Sequence, residues 1–199
     1  MFPVEDIVPE SKRHLLLRTL LFQLLKYHFA DRACVGSDQF VYWNARDPKR
    51  SLAPDVFLRM GTKDDTFDSW KTWERGTPEL AIEIVSESDA KGSTWDDKLE
   101  RYHELGVTEL VRFDSDAPEG HRLTVWDRLE NDLVERRVEA DATPVVTLGL
   151  RWIVSPDPEL AAVLRLSRDQ AGKELLLTRE EVAEQRIRVL EAELDKRSS

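Results

Sequence analysis

The sequence predicts a mixed α/β fold, a sheet flanked by helices with a charged helix at its C-terminal end. Three observations carry this. A leucine-rich segment near the start repeats at helical spacing. Short runs rich in β-branched and aromatic residues follow it, and at the centre two such runs are joined by an amphipathic helix.

Taken in order, Glu10-Ser11-Lys12-Arg13-His14 leads into Leu17, Leu20, Leu21, Leu24 and Leu25. Ser11 after Pro9 suits an N-cap, so a helix is predicted from about Ser11 to Phe29. Gln39 to Trp43 (QFVYW) reads as a strand, Asn44 to Ser51 as a turn, and Ala53 to Met60 (APDVFLRM) as a second strand. Gly61 to Thr77 is polar and irregular, punctuated by Trp70 and Trp73. It is expected to be a long loop, of the kind that often carries function.

Leu80 to Ser86 (LAIEIVS) is a third strand, and Ser86 to Ser93 (SESDAKGS) a loop. Thr94 to Leu105 reads as a helix. Thr94 with Asp97 makes a capping box, Trp95, Leu99 and Tyr102 share a face, and Gly106 is the stop. Glu109 to Asp114 returns as a strand. Arg122–Trp126 and Leu133–Val138 flank Asn131-Asp132 as an antiparallel hairpin. From Thr178 onward there is no proline or glycine, and Ala183, Ile187, Leu190 and Leu194 repeat at four-three-four spacing. Two readings stay open for this tail: a short coiled coil that makes a homodimer, and a solvated helix that docks on its own domain or frays. The division expected is one domain over 1–177 and the charged helix over 178–199.

Bulk properties narrow the function classes. Over 199 residues, 41% hydrophobic and 34% charged content is that of a globular chain with an ionised surface. The single cysteine, Cys34, excludes an intramolecular disulfide framework and a multi-cysteine zinc site. MFPVEDIVPE lacks the basic-then-apolar pattern of a signal peptide. The apolar stretch from Leu15 to Leu25 is broken by Arg18 and Gln23, too short and polar to span a bilayer. A soluble, cytoplasmic protein without a membrane partner is expected. The net charge of −10 gives no electrostatic footprint for non-specific DNA binding.

The chemistry centres on one residue. In LAIEIVS, Leu80, Ile82 and Ile84 face one way and Ala81, Glu83 and Val85 the other, so a carboxylate sits in the most core-like run of the chain. A buried carboxylate shifts its pKa, pairs with a cation or binds a metal. Asp55 alternates with Ala53 and Phe57 in the preceding strand, and if the two strands pair, both acids converge on one face. Convergent carboxylates repel unless a cation lies between them. Pairs of hard oxygen ligands suit Mg²⁺ or Mn²⁺. Against this stand ordinary structural roles: a buried ion pair for Glu83, and turn chemistry after proline for Asp55.

PDV at Pro54–Val56, PELAIEIVSES from Pro78 and DKLERYHELGVTELVRFD from Asp97 together resemble the Uma-type family of putative restriction endonucleases, within the PD-(D/E)XK nuclease-like superfamily. The resemblance covers most of the chain. It implies a restriction-endonuclease-like mixed sheet flanked by helices. It also implies a divalent cation, Mg or Mn, held by Asp55, Glu83 and the Ile84 carbonyl, and hydrolysis of DNA phosphodiester bonds. The superfamily pattern places a lysine two residues after the second acid, where this chain has Val85. The family's recurrent lysine before a tyrosine corresponds to Lys98, which the resemblance makes the third catalytic residue; Lys91 is a rival in the loop. Many superfamily members carry an acid on the first helix that reaches the metal, here Glu10.

Other residues divide between roles. Glu10 also suits a helix N-terminus, where negative charge is favoured, and Lys98 also reads as a surface lysine lying along the apolar helix face. His14 points either to phosphate or to solvent, and Ser86 either bonds near Glu83 or ends its strand. Tyr102 reads as core, and the tryptophans at 70, 73, 95, 126 and 152 as core or rim. Two functions are therefore set against each other: a Mg²⁺-dependent endonuclease centred on Asp55, Glu83 and Lys98, and a non-catalytic protein of the same fold that oligomerises through its C-terminal helix.

Overall fold

The computed structural model describes residues 10–86 and 95–198. Ser11 caps the first helix, its hydroxyl accepting from the His14 amide at 3.1 Å, and α1 (Lys12–Phe29) follows. Leu17, Leu21, Leu24, Leu25 and Phe29 recur along one stripe of α1 and are buried. Each such side chain contributes roughly 1.5–3 kcal/mol on removal from water. Residues 86–94 connect a strand to a helix in the sequence. Of the expectations there, the Thr94 capping box, Lys91 and nearly all of the SESDAKGS loop lie outside the described residues.

After α1 come β1 (Ala33–Gly36), β2 (Val41–Tyr42), β3 (Ser51–Leu52), β4 (Val56–Met60), β5 (Trp70–Lys71), α2 (Thr72–Arg75) and β6 (Leu80–Ile84). Then follow α3 (Trp95–Leu105), β7 (Glu109–Phe113), β8 (Leu123–Leu129), β9 (Asp132–Arg136), β10 (Ala142–Val145), β11 (Leu150–Asp157), β12 (Ala161–Ser167) and α4 (Arg179–Ser198). The main sheet has six strands in the order β1-β4-β6-β7-β8-β9. β6 is inside it, antiparallel to β4 and parallel to β7, with α3 as the crossover. Two three-stranded sheets, β10-β11-β12 and β3-β2-β5, complete the strands. The predicted mixed sheet flanked by helices, with a C-terminal helix, is present.

Both faces of the main sheet are covered, so β6 is buried at every position. On one face Val56, Leu58, Leu80, Ile82 and Ile84 pack with the α1 leucines and with Trp152 and Leu164 from the β10–β12 sheet. On the other, Phe57 and Ala81 pack with Tyr102 and Leu105 of α3 and with Trp70.

The segment expected to be a long loop, 61–77, contains β5 and α2. The buried Trp70 indole donates to the Gly76 carbonyl at 2.8 Å and meets Phe57 edge-on at 5.5 Å. Trp126 and Trp152 are core as well, while Trp73 is exposed. Gly106 ends α3 at φ 88°, its amide returning to the Tyr102 carbonyl at 3.1 Å. Among the described residues no helix is long and apolar enough to cross a membrane.

Candidate active site

The register between β4 and β6 pairs Val56 with Ile82 and Phe57 with Ala81. One step further along the ladder sets Asp55 across from Glu83, on the face that carries Phe57 and Ala81. Asp55 sits just ahead of β4 and is fixed there by two bonds. Its Oδ2 accepts from the Ile84 amide at 2.7 Å, and its carbonyl accepts from the Ser37 hydroxyl at 2.8 Å. The two acids expected to converge are therefore cross-strand neighbours, both nearly fully buried.

Glu83 receives its partners from α3. The Lys98 amine donates to Oε2 at 3.0 Å, and the Tyr102 hydroxyl donates to Oε1. Lys98 and Tyr102 are four residues apart, so one helix face presents both to the strand. Burial pushes the Glu83 carboxyl up to about 7; the Lys98 charge opposes the rise and the Asp55 charge adds to it. Burial likewise raises Tyr102 well above its ordinary value, with the adjacent Glu83 charge adding. Tyr102, read as core from the sequence, is fully buried and also a direct partner of Glu83.

A second arm comes from α1. His14 Nε2 lies 3.2 Å from Asp55 Oδ1 and 3.1 Å from the Ile84 carbonyl. Its Nδ1 faces Glu10 Oε1 at 2.8 Å. Arg18, one turn on, holds the same Glu10 carboxylate through two bonds, at 3.0 and 2.9 Å, and reaches Asp38 at 3.0 Å. Burial alone would lower His14, but Asp55 and then Glu10 outweigh it and lift the imidazole to about 9. Burial would raise Glu10, yet His14 and Arg18 hold it below the usual carboxylate range. At neutral pH the imidazolium thus stands between Asp55 and the Ile84 carbonyl.

The donor set fits a hard divalent cation: two cross-strand carboxylates and a carbonyl on the residue after the second. Among the described residues no group of three or more His, Cys, Asp or Glu side chains gathers as a metal cluster. That is compatible with an ion such as Mg²⁺, which keeps several waters and takes few protein ligands.

The sequence-derived residues therefore assemble in two groups, Asp55 with Ile84 and His14, and Glu83 with Lys98 and Tyr102. Glu10 joins through His14 rather than by a direct contact with either acid. Arg18 was not anticipated, although Glu10, His14 and Arg18 at intervals of four would have signalled a shared helix face. A family model described as a putative restriction endonuclease, Uma2, matches residues 4–157. A crystal structure described as a putative nuclease belonging to DUF820, from Anabaena variabilis, aligns over 77% of this chain and 76% of that one, with TM-score 0.48 and 13% identity. No curated protein matches the chain.

Proposed function

The chain belongs to the Uma2 family of restriction-endonuclease-like proteins, and from that membership we propose that it is a divalent-metal-dependent endonuclease hydrolysing DNA phosphodiester bonds. The observation that carries the reading is the Lys98 amine at 3.0 Å from Glu83, with Asp55 across the strand from that same glutamate. A lysine absent at position 85 is supplied to the acid from the following helix.

In this reading Asp55, Glu83 and the Ile84 carbonyl hold Mg²⁺ or Mn²⁺. The ion's contribution is to polarise the phosphate and lower the pKa of water for attack. Lys98, a charged donor beside Glu83, would orient the attacking water. Tyr102 fixes the Glu83 rotamer through its hydroxyl. His14, held by Glu10, would offer its imidazolium to a phosphate oxygen. Side-chain exposures of 25% at Lys98 and 32% at Glu10, against 8% at Glu83, support an approach from the side of those two residues.

One observation favours the second reading, a non-catalytic protein of this fold. Asp55 is paired with His14 and the Ile84 amide, and Glu83 with Lys98 and Tyr102, an arrangement that also satisfies two structural acids. Plasmid cleavage in Mg²⁺ or Mn²⁺ separates the two. The nuclease reading expects nicking by the native chain, reduced at least ~100-fold in Asp55→Asn, Glu83→Gln and Lys98→Met. Cleavage surviving in all three variants, or no cleavage together with no metal heat in calorimetry, would sink it.

A further inference from the structure

We propose that α4 pairs with α4 of a second copy of this chain as a parallel, in-register two-stranded coiled coil, making the protein a dimer joined outside the family-matched residues 4–157. The helix is firmly rooted at its start. The buried Arg165 of β12 grips Glu181 through two bonds, at 2.9 and 2.8 Å, and also donates to the Leu176 carbonyl at 3.0 Å. Glu181 accepts from the Thr178 amide at 2.7 Å while the Thr178 hydroxyl accepts from the Glu181 amide at 3.2 Å. This reciprocal cap sets where the helix leaves the domain.

Beyond that root the helix does not lie on its own domain. From Val182 to Lys196 every side chain is exposed. Ile187 is 54% exposed and Leu190 42%, and with Ala183 and Leu194 they keep the four-three-four spacing of a seam. The docked-helix reading of the tail is thereby removed. What remains is an apolar stripe in water on a helix of 20 residues, a length at which a lone helix is only marginally stable.

The charges identify the occupant. Setting Ala183 and Leu190 at d and Ile187 and Leu194 at a puts Arg179, Arg186 and Glu193 at g, Glu184 and Glu191 at e, and Glu180 at the first a position, at the rooted end of the helix. In a parallel pair each g residue meets the e residue five positions on in its partner. Two of those pairs, Arg179 with Glu184 and Arg186 with Glu191, are of opposite charge, and no pair sets like charges together. An antiparallel pair would bring e against e, and so Glu184 against Glu191. A β-branched Ile187 at a with Leu190 at d also favours the parallel two-stranded form. Residues 179–196 carry six acids and four bases, which does not suit an anionic membrane surface.

The test is sedimentation equilibrium of the full chain across a range of concentrations, with circular dichroism to confirm that each variant folds. The native chain is expected to approach twice its 23.0 kDa mass, and Leu190→Asp to remain at the monomer mass. Arg186→Glu should weaken association at least ~10-fold, and Arg186→Glu with Glu191→Arg should restore it, since residues five apart do not meet within one helix. Oxidised Leu190→Cys should cross-link across the pair, Cys34 being buried. A native chain that stays monomeric throughout overturns the proposal. So does a dimer that survives Leu190→Asp, or a Leu190→Cys dimer that does not cross-link.

Discussion

At the scale of single residues the site holds protons more tightly than the unfolded chain would. His14 moves from an ordinary 6.5 to about 9, and Glu83 from 4.5 to about 7. Both folded values lie above the unfolded ones, so stability is fully present below the unfolded values and falls as pH rises. The Glu83 loss falls between about 4.5 and 7 and the His14 loss between about 6.5 and 9. At about 1.4 kcal/mol per pKa unit, reduced for the partial exposure of the site, the His14 limb is worth roughly 2 kcal/mol. Urea midpoints followed from pH 6 to 9.5 in chelator should show it, and His14→Gln should flatten that limb; an unchanged slope in the variant would place its cause elsewhere. Tyr102→Phe removes a buried donor from Glu83, which should cost about 1–3 kcal/mol once the carboxylate is charged. The same substitution should cost distinctly less at pH 5.5, where Glu83 has regained its proton, and equal losses at both pH values would mean that the hydroxyl serves packing alone. Asp55 and Glu83 were legible because strand alternation and antiparallel pairing are local rules that place both acids on one face. His14 was readable only as a phosphate or solvent contact, because its place against Asp55 and the Ile84 carbonyl arises where α1 crosses the end of β6, a contact between segments distant in sequence. Arg18 was missed although its spacing from Glu10 and His14 was there to read.

At the scale of elements, legibility followed length and periodicity. α1, α3 and the β8–β9 hairpin were readable from leucine spacing, a glycine stop and paired β-rich runs. β1 is only ACVG, and β11 ends in a proline-bearing stretch, so neither shows the alternation that marks a strand. The β10–β12 sheet owes its place to Trp152 and Leu164 filling the space beside α1, which no local pattern announces. β1 nevertheless matters to the site, because it pairs with β4 and sets Gly36 opposite Phe57. A Cβ on Gly36 would run into the Phe57 ring, itself fully buried between Ala81 and Trp70. Gly36→Ala should therefore destabilise by about 1–3 kcal/mol as an overpacked core substitution, read from thermal melts. Because Asp55 directly precedes β4, the variant should also weaken Mn²⁺ binding in calorimetry. Native-like stability in Gly36→Ala would show that the β1–β4 pair can open without cost to the site.

At the scale of the whole molecule, the charge of −10 stands against the nuclease chemistry. A chain that neutralises many phosphates loses affinity steeply with salt, by about one power of salt concentration per contact. Among the described residues, two arginines of α1 are committed to acids. Arg18 is taken by Glu10 and Asp38, and Arg13 by Asp116. If the domain acts on DNA, its attraction must come largely from the bound divalent ion, which would add positive charge at the buried Asp55–Glu83 pair. The expected behaviour is binding to a short duplex in Ca²⁺ or Mg²⁺ with a shallow salt dependence, a slope of roughly −2 to −3 on logarithmic axes, and binding below detection in chelator at ~100 mM salt. Proton release should accompany ion binding near neutral pH, since the Glu83 carboxyl at about 7 must lose its proton to become a ligand. Fluorescence anisotropy with a labelled duplex measures both the slope and the ion requirement. A slope near −8 or steeper, or undiminished binding in chelator, would mean that a basic surface rather than the acid pair recruits the nucleic acid. The site would then be a secondary feature of that surface.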